Sequence, residues 1–521
     1  MVEFISARAL RQIWRSGGEV ALFDVREEGP YSRAHPFFAI SLPFPEIDAR
    51  VFELAPRLSA PIVVYDDGEG FAEKAALRLT ELGYSDVRLL DGGLEAYRRV
   101  GEVFRDVNVP SKAFGELVES IRHTPSLSAA EAAKLIAENP DVVVLDARRF
   151  EEYRTMSIPK GVSVPGAELT LRVFDIAPSP DTFVLVNCAG RTRSIIGAQT
   201  LVNAGVPNRV AALRNGTIGW TLEGLSLDKG QTRRFPQTSE ASHRRALTAA
   251  RDWAARVGVE TIDAATYDLL LAEQDRRTLY SLDVRTPEEY AAGHIAGFRS
   301  APGGQLVQAT DEWVGVRGAR IVLYDDAGVR ASMTASWLVQ LGWEVFVLRP
   351  EAKPANETGA PAPRRRSAPT FGDGLVSAQE LAARRENVLI ADLARSPVYR
   401  AGHIAGAYWA AAAHLERDLA ALPGDEAIVL TSPDGDVALD NLERARRGVK
   451  REILALAGGT RAFGPLTGEN PQWISEPDDV YKRPYEGTDN AREAMQAYID
   501  WELQLVAQLA NDGVSNFHVV R

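Results

Sequence analysis

The feature that most constrains the fold of this chain is a segment that recurs four times. In each copy a short apolar run ends in an aspartate; these aspartates are Asp24, Asp146, Asp283 and Asp392. A second apolar run follows, and the residues directly after it are Asp66, Cys188, Asp325 and Ser432. The two marked positions lie 42 residues apart in the first three copies and 40 apart in the fourth. Because random drift would not keep this spacing, the chain contains one domain four times over.

Within each copy, short runs of β-branched residues alternate with helical patterns. In the second copy, residues 142–146 and 183–187 predict strands, and residues 192–204 predict a helix that Gly205 closes. Strands that alternate with helices favour a parallel sheet covered on both faces. We therefore expect four tandem α/β domains, each a small parallel sheet flanked by helices, with binding loops at the carboxyl ends of the strands.

The segments between the copies set the expected domain boundaries. The copies are predicted to span residues 1–110, 125–235, 257–350 and 370–475, and a C-terminal helix is predicted over 488–512. Residues 238–256 have the pattern of a connecting helix. Residues 351–369 are rich in Pro and Ala, which indicates an extended spacer. In an acidic chain, the cluster Arg364–Arg366 within that spacer is interpreted as solvated rather than as a binding patch.

Composition excludes several classes of protein. Cys188 is the only cysteine in 521 residues, so an intramolecular disulfide and a cysteine-rich zinc site are excluded, and we expect no metal. The formal net charge of -12 argues against general nucleic-acid binding. We see neither a signal-peptide pattern nor an apolar run of membrane-spanning length. These features predict a cytoplasmic protein without a nucleic-acid or membrane partner, and they leave its oligomeric state open.

Cys188 lies between a predicted strand and a predicted helix, with Arg191 and Arg193 close behind it. Backbone N–H groups at a helix N-terminus and two arginines stabilise an anion, so this position predicts a lowered thiol pKa and a reactive thiolate. The alternative is that Cys188 is a small buried hydrophobe. The candidate site residues are the thiol and five loop residues: Cys188, Gly190, Arg191, Thr192, Arg193 and Ser194.

Four kinds of motif carry a family resemblance. They are D-x-R, found in three copies; E-E-Y-x-x-G-H-I-x-G at 288–297; C-x-x-x-x-R-S at 188–194; and an L-x-G-G-x-x-x-aromatic pattern near 91–97, 213–220 and 456–463. Together they resemble the rhodanese family over nearly the whole chain. One departure is that Gly190 lies two places after the cysteine instead of the usual three, which predicts an altered loop shape.

The resemblance implies ping-pong sulfur transfer through a persulfide on Cys188. The implied donor is thiosulfate, held by Arg191 and Arg193, and the acceptor is cyanide or a thiol; no cofactor is implied. Phosphatases and arsenate reductases of similar fold place an arginine six residues after the cysteine, whereas Arg193 is five after it. The rival hypothesis is a non-catalytic persulfide carrier or a redox-sensing binding protein.

The other three copies are expected to be inactive. A carboxylate or an unactivated hydroxyl at Asp66, Asp325 or Ser432 cannot carry a transferable sulfur, which predicts structural or ligand-binding domains. Arg330 lies five residues after Asp325, so Asp325→Cys in a Cys188→Ser background is expected to regain part of the sulfur loading. Asp66→Cys is expected to regain much less, because Glu69 and Phe71 stand where the active loop has Arg191 and Arg193. The motif aspartates are expected to pair with nearby arginines or to cap the following turn. His294 and His403 are expected to be structural.

Overall fold

The computed structural model describes residues 2–361, 374–483, 485–486 and 488–521. In the first copy a five-stranded parallel sheet has the order β1-β6-β5-β2-β4, and β3 and β7 form a separate antiparallel pair. Its strands are β1 Glu3–Ile5, β2 Ala21–Asp24, β3 His35–Pro36, β4 Ala39–Ser41, β5 Ile62–Tyr65, β6 Val87–Leu90 and β7 Val103–Phe104. Its helices are α1 Ala7–Arg15, α2 Glu28–Arg33, α3 Ile47–Leu54, α4 Phe71–Glu81 and α5 Gly93–Arg98.

The second copy follows helix α6, Val109–Arg122, and repeats the strand order as β8-β12-β11-β9-β10, all parallel. Its strands are β8 Ser126–Leu127, β9 Val142–Asp146, β10 Gly161–Ser163, β11 Phe183–Asn187 and β12 Val210–Leu213. Its helices are α7 Ala129–Glu138, α8 Phe150–Thr155, α9 Leu169–Ile176, α10 Thr192–Asn203 and α11 Gly216–Leu222.

The third copy follows helix α12, Glu240–Val257, which confirms the connecting helix expected over 238–256. Its parallel sheet has the order β13-β17-β16-β14-β15. Its strands are β13 Glu260–Ile262, β14 Leu279–Asp283, β15 Arg299–Ser300, β16 Arg320–Tyr324 and β17 Glu344–Leu348. Its helices are α13 Ala264–Ala272, α14 Pro287–Ala292, α15 Gly303–Gln308 and α16 Arg330–Gln340.

The fourth copy has the same order with one added edge strand, β18-β22-β21-β19-β20-β23. Its strands are β18 Leu375–Val376, β19 Val388–Asp392, β20 Tyr408–Trp409, β21 Ala427–Thr431, β22 Ile453–Leu456 and β23 Gln472–Trp473. Its helices are α17 Ala378–Ala383, α18 Ser396–Ala401, α19 Leu415–Ala421, α20 Asp436–Asp440, α21 Leu442–Gly448 and α22 Gly459–Phe463. Residues 362–369 of the expected spacer, with Arg364–Arg366, and residues 370–373 lie outside the described residues.

The C-terminal segment forms two helices, α23 Ala491–Glu502 and α24 Leu505–Asp512. The prediction of a single helix over 488–512 is therefore wrong. The backbone N–H of Gln504 bonds to the carbonyl of Trp501, three residues back, at 3.0 Å. Such a tightened turn interrupts the regular i to i−4 ladder between the two helices. Short 3-10 helices elsewhere cover Phe44–Glu46, Gly166–Glu168, Thr310–Glu312, Arg385–Asn387 and Ala412–His414.

The described residues divide into two compact units. One contains most of copies one and four, within 2–7, 21–107 and 374–482. The other contains copies two and three, within 108–361, together with residues 8–20 and the C-terminal residues from 483. Helix α1 thus belongs to the second unit, where Arg11 pairs with Asp512 of α24 at 2.6 Å. All residues of the candidate site lie in this second unit.

Strand register explains the constant spacing in the sequence. Asp146, the last residue of β9, pairs with Asn187, the last residue of β11, so Cys188 emerges beside the aspartate at one edge of the sheet. The other copies have the same register, with the pairs Asp24–Tyr65, Asp283–Tyr324 and Asp392–Thr431. In parallel sheets this carboxyl edge is where binding loops lie, and the repeat places each marked loop there.

The core of copy two lies on both faces of its sheet. Val144 and Leu185 pack with α7 and Trp220 of α11 on one face. Leu145 and Val186 pack with α9, α10 and α12 on the other. Burial on both faces explains why β9 and β11 are continuous apolar runs instead of alternating ones.

Candidate functional site

Cys188 begins a tight loop that joins β11 to the N-terminus of α10. The residue is only 2% exposed. Its Sγ donates to Oγ of Ser194 at 3.4 Å, and that hydroxyl in turn donates to the carbonyl of Arg191 at 2.9 Å. The loop therefore holds the thiol in a fixed position against the first turn of the helix.

The thiol is not acidified in the way that the sequence predicts. Burial raises the pKa of the Cys188 thiol above its usual value. Arg193, hydrogen bonds with Ser194 and the charge of Arg148 act in the opposite direction, but burial outweighs them. The prediction of a lowered pKa is wrong because it considered charge and helix polarity without the desolvation of a nearly inaccessible sulfur.

The turn before α11 closes the loop from behind. Asn215 and Gly216 both have left-handed backbone conformations. The N–H groups that follow bond to the loop: Thr217 donates to the carbonyl of Cys188 at 2.9 Å, and Ile218 donates to that of Ala189 at 3.0 Å. A β-carbon on Gly216 would lie 2.3 Å from the Cys188 carbonyl oxygen, so this approach requires glycine.

The motif near 213–220 was not among the predicted site residues. Its recurrence in other copies was the signal that could have revealed its role. Leu94 and Thr460, which follow the corresponding glycine pairs, donate to the carbonyls of Asp66 and Ser432 at 3.1 and 2.8 Å. The motif thus fixes the marked loop in three of the four copies.

Arg193 is bound by a carboxylate from its own domain. Its guanidinium donates to both oxygens of Glu152 in α8, at 2.7 and 2.9 Å. Burial of Glu152 opposes its ionisation, but the charge and hydrogen bonds of Arg193 prevail and lower the Glu152 pKa to about 2. Because Glu152 is the second glutamate of an E-E-Y motif, its role could have been found by comparing the copies: Arg330 pairs with the equivalent Glu289 at 2.6 Å.

Arg191 is bound by carboxylates from α6, outside the predicted domain. It donates to the two oxygens of Glu116 at 2.7 and 2.8 Å, to Glu119, and to Oδ1 of Asn215 at 3.0 Å. Burial raises the pKa of Glu116, and its ion pair with Arg191 acts against that rise. Nothing in the sequence pattern pointed to these glutamates.

Two further residues of the site, Thr192 and Gly190, lie against helices from outside copy two. A β-carbon on Gly115 of α6 would lie 2.9 Å from Cγ2 of Thr192, so α6 packs directly on the loop. A β-carbon on Gly190 would lie 3.4 Å from Oε2 of Glu502 and 4.0 Å from Cε1 of Tyr498, both in α23. The structure therefore places all six predicted site residues in the loop or in the first turn of α10, but both arginines are paired with carboxylates.

The motif aspartates and histidines have structural roles, as expected. Arg148 donates to both oxygens of Asp146 at 2.9 and 2.7 Å, and copies one and three contain the same pair. His294 and His403 each bond through Nδ1 to a tyrosine carbonyl four residues back and stack on that ring. These predictions are confirmed.

Arg330 differs from the expectation for copy three. It is 1% exposed, and its guanidinium donates to Glu168 and Glu289 at 2.8 and 2.6 Å and to Asp326 at 2.6 Å. An arginine paired with several carboxylates in this way has a structural role, because its charge is already neutralised and does not attract an anionic donor.

The described part of the chain contains no group of three or more His, Cys, Asp or Glu side chains arranged to hold a metal ion. None of its helices combines the length and apolar character that a bilayer crossing needs.

Comparison with known proteins gives consistent matches. The family model for the rhodanese-like domain matches residues 6–99, 128–223 and 266–350, together more than half of the chain. A crystal structure of a thiosulfate sulfurtransferase from Pseudomonas aeruginosa is 50% identical, covers 100% of both chains and superposes with a TM-score of 0.96. An HTH-type transcriptional regulator of Mycobacterium tuberculosis is 24% identical over 180 residues, which are 31% of this chain and 79% of the regulator.

Proposed function

Because the chain belongs to the rhodanese-like family, we propose that it is a thiosulfate sulfurtransferase whose sulfur carrier is Cys188. The observation that carries the proposal is the position of the chain's single thiol. Cys188 occupies the loop position where copy one holds Asp66, whose carboxylate accepts N–H groups of Gly68, Phe71 and Ala72 at 3.1, 2.6 and 3.0 Å. A loop that surrounds a carboxylate with N–H donors is also built to hold a thiolate or a persulfide anion.

In the first half-reaction, Cys188 attacks the outer sulfur of thiosulfate. A new S–S bond forms on Cys188, the S–S bond of thiosulfate breaks, and its electron pair leaves with sulfite. The balance is Cys–SH + S₂O₃²⁻ → Cys–S–SH + SO₃²⁻, with the thiol proton retained by the persulfide. Since burial raises the thiol pKa, the proton must leave the Cys188 sulfur as the attack begins and return to the outer sulfur of the persulfide when sulfite departs. The Ser194 hydroxyl, which accepts a hydrogen bond from the thiol at 3.4 Å, lies in position to relay it.

In the second half-reaction, an acceptor attacks the outer sulfur of the persulfide. With cyanide the balance is Cys–S–SH + CN⁻ → Cys–SH + SCN⁻, and with a thiol the product is a new persulfide, RSSH. The Cys188 sulfur leaves with the electron pair of the broken S–S bond and takes up a proton. The donor and the acceptor are small molecules in this scheme. Gly190, Thr192 and Ser194 would surround the sulfur carried by Cys188. The positive charge of Arg193 would favour an anion there, although Arg193 is paired with Glu152.

Two features favour this function over a redox sensor. Sensor cysteines have a low pKa and are exposed to solvent, whereas Cys188 is 2% exposed and its pKa is raised. The name of the relative that is 50% identical over its full length supports thiosulfate as donor. A reduced lone thiol also fits a cytoplasmic location.

The test is intact-mass spectrometry of the full chain after incubation with thiosulfate. We expect the mass of one added sulfur atom, its loss on addition of cyanide, and one thiocyanate released per chain. Cys188→Ser is the control and must show neither change. A wild-type chain that gains no sulfur contradicts the proposal, and a gain that cyanide does not discharge favours a carrier.

A further inference from the structure

We infer that helix α23 acts as a size filter over the Cys188 loop, with Tyr498 as the residue that determines specificity. The filter admits small sulfur donors and acceptors, such as thiosulfate, cyanide and hydrosulfide. It excludes tripeptide thiols and the cysteines of folded proteins. The inference rests on the proposed function for the identity of the substrates, but the filter itself is a property of access to the thiol.

Most of the loop is closed by packing. Arg191, Thr192 and Ser194 are buried together with Cys188, whereas Ala189, Gly190 and Arg193 retain partial exposure. A reagent that approaches the sulfur must therefore pass either Arg193 or the stretch formed by Ala189 and Gly190.

The approach at Arg193 is obstructed by two contacts. Its guanidinium is fixed by two hydrogen bonds to Glu152. Beside it, the backbone of copy three meets that of copy two so closely that a β-carbon on Gly304 would lie 2.7 Å from the nitrogen of Gly166. The crevice that remains there, lined by Thr192, Arg193 and residues of copy three, is narrow and mostly apolar.

The approach at Gly190 is bordered by α23. A β-carbon on Gly190 would lie 3.4 Å from Glu502, 3.8 Å from Ile218 and 4.0 Å from the ring of Tyr498. The absence of a side chain at Gly190 leaves a gap about one small group wide between the loop and the helix. Tyr498 is half-buried, and its ring borders that gap at 4.0 Å from the place of the Gly190 β-carbon.

The filter is held rigidly in place. The Tyr498 ring packs on that of Trp501 at 5.6 Å, and Nζ of Lys112 lies 5.5 Å from the first ring and 5.7 Å from the second. A cation placed on aromatic rings away from water is attracted to them and holds them in place. On the inner side of α23, Ile499 and Trp501 are buried, so the helix is a docked element with little freedom to swing away.

The test compares two thiol reagents of different size on the full chain, without any sulfur substrate. The rates of Cys188 modification by iodoacetamide and by fluorescein maleimide are each divided by the rate of the same reagent on free cysteine. The filter factor is the relative rate of iodoacetamide divided by the relative rate of fluorescein maleimide. We expect a wild-type filter factor of at least about ten, which means that the bulky reagent is slowed by the equivalent of ~1.4 kcal/mol of steric cost. Tyr498→Ala should bring the factor towards one, and Tyr498→Trp should increase it.

Two controls separate size from other effects. Tyr498→Phe keeps the ring and should retain the wild-type factor. Gln496 lies on the exposed side of the same helix, so Gln496→Ala should also retain the wild-type filter factor. If the wild type shows no discrimination, or if Tyr498→Ala and Tyr498→Phe behave alike, the inference is wrong.

A second measurement uses the acceptors themselves. With thiosulfate as donor, the ratio of kcat/KM for glutathione to that for cyanide should rise at least about tenfold in Tyr498→Ala. A chain that shows the filter factor but gains no sulfur from thiosulfate would contradict the proposed function and leave the filter intact. A chain that gains sulfur but has a filter factor near one would contradict the filter and leave the proposed function intact.

Discussion

The loops that begin at Cys188 and at Asp325 occupy the same position between a strand and a helix, but they hold different side chains. Each follows a buried central strand and leads into a long helix, α10 or α16. In copy three the carboxylate of Asp325 accepts backbone N–H groups of Ala327, Val329, Arg330 and Ala331 at 3.2–3.3 Å. In copy two the same position holds a thiol that bonds to Ser194. The comparison teaches that a loop in this place can surround a carboxylate with backbone N–H donors, and that copy three fills the position permanently with its own side chain.

The arginines of the two loops complete the contrast. Arg193 pairs with one carboxylate, Glu152, whereas Arg330 contacts Glu168 and Glu289 as well as two aspartates of its own loop. Because Glu168 belongs to copy two, the Asp325 loop joins copies two and three inside their common unit. The same strand–loop–helix arrangement is thus a proposed reaction centre in copy two and an ion-paired contact between two copies in copy three.

The largest effect is expected from the nucleophile. Cys188→Ser should lower sulfur transfer by at least about a thousandfold, because no other thiol can form the covalent intermediate. Thiocyanate formation measures it. The matched variant Asp325→Asn should keep activity within about threefold, since that loop does not touch the reacting atoms. Equal losses in the two variants would remove the functional distinction between the loops.

Stability should show the reverse order. Asp325→Ala removes the acceptor of four N–H groups and one partner of a buried arginine, which should cost roughly 3–5 kcal/mol. Cys188→Ala removes one small buried sulfur and should cost about 1 kcal/mol. Urea unfolding followed by tryptophan fluorescence compares them, with midpoints used because a chain of two units need not unfold in one step. A Cys188→Ala variant as unstable as Asp325→Ala would contradict this assignment.

The ion pair beside the thiol should control the pH dependence of its reactivity. Burial raises the Cys188 pKa, so alkylation by iodoacetamide should speed up as pH rises through neutrality. Glu152→Gln removes the negative charge that offsets Arg193, so the arginine stabilises the thiolate more strongly. The rising part of the profile should then move to lower pH, with a several-fold faster rate at neutral pH.

Two matched variants check the cause of that shift. Arg193→Gln should move the profile to higher pH, because it removes a charge that favours the thiolate. Glu289→Gln makes the equivalent change in copy three and should leave the profile where it is. A profile that moves upward in Glu152→Gln would show that the glutamate acts on the thiol through something other than Arg193.

The sequence could predict the parts of this comparison that depend on local pattern. Strand and helix alternation, the position of Cys188 after β11 and the Asp146–Arg148 pair follow from spacing within one copy, and the last is confirmed. It could not predict the raised thiol pKa, because that shift comes from burial of the sulfur in the folded chain and not from local pattern. The partners of Arg191 were missed for the same reason, since Glu116 lies 75 residues away.

The smallest effect is expected from moving the thiol to copy three. The sequence alone predicts that Asp325→Cys in a Cys188→Ser background regains part of the sulfur loading, because Arg330 has the same offset as Arg193. The structure favours a different expectation: Asp325 is 0% exposed, and the guanidinium of Arg330 is paired with Glu168, Glu289 and Asp326. We now expect loading by thiosulfate of at most a few per cent of the Cys188 level, measured by intact mass, since buried charges already paired offer little to a dianion. Asp66→Cys in the same background is the control for access, because residues 67–70 of its loop are exposed and iodoacetamide should modify it faster than Cys at 325. Loading at 325 close to that of Cys188 would show that the arginine offset, and not access, decides which loop can carry sulfur.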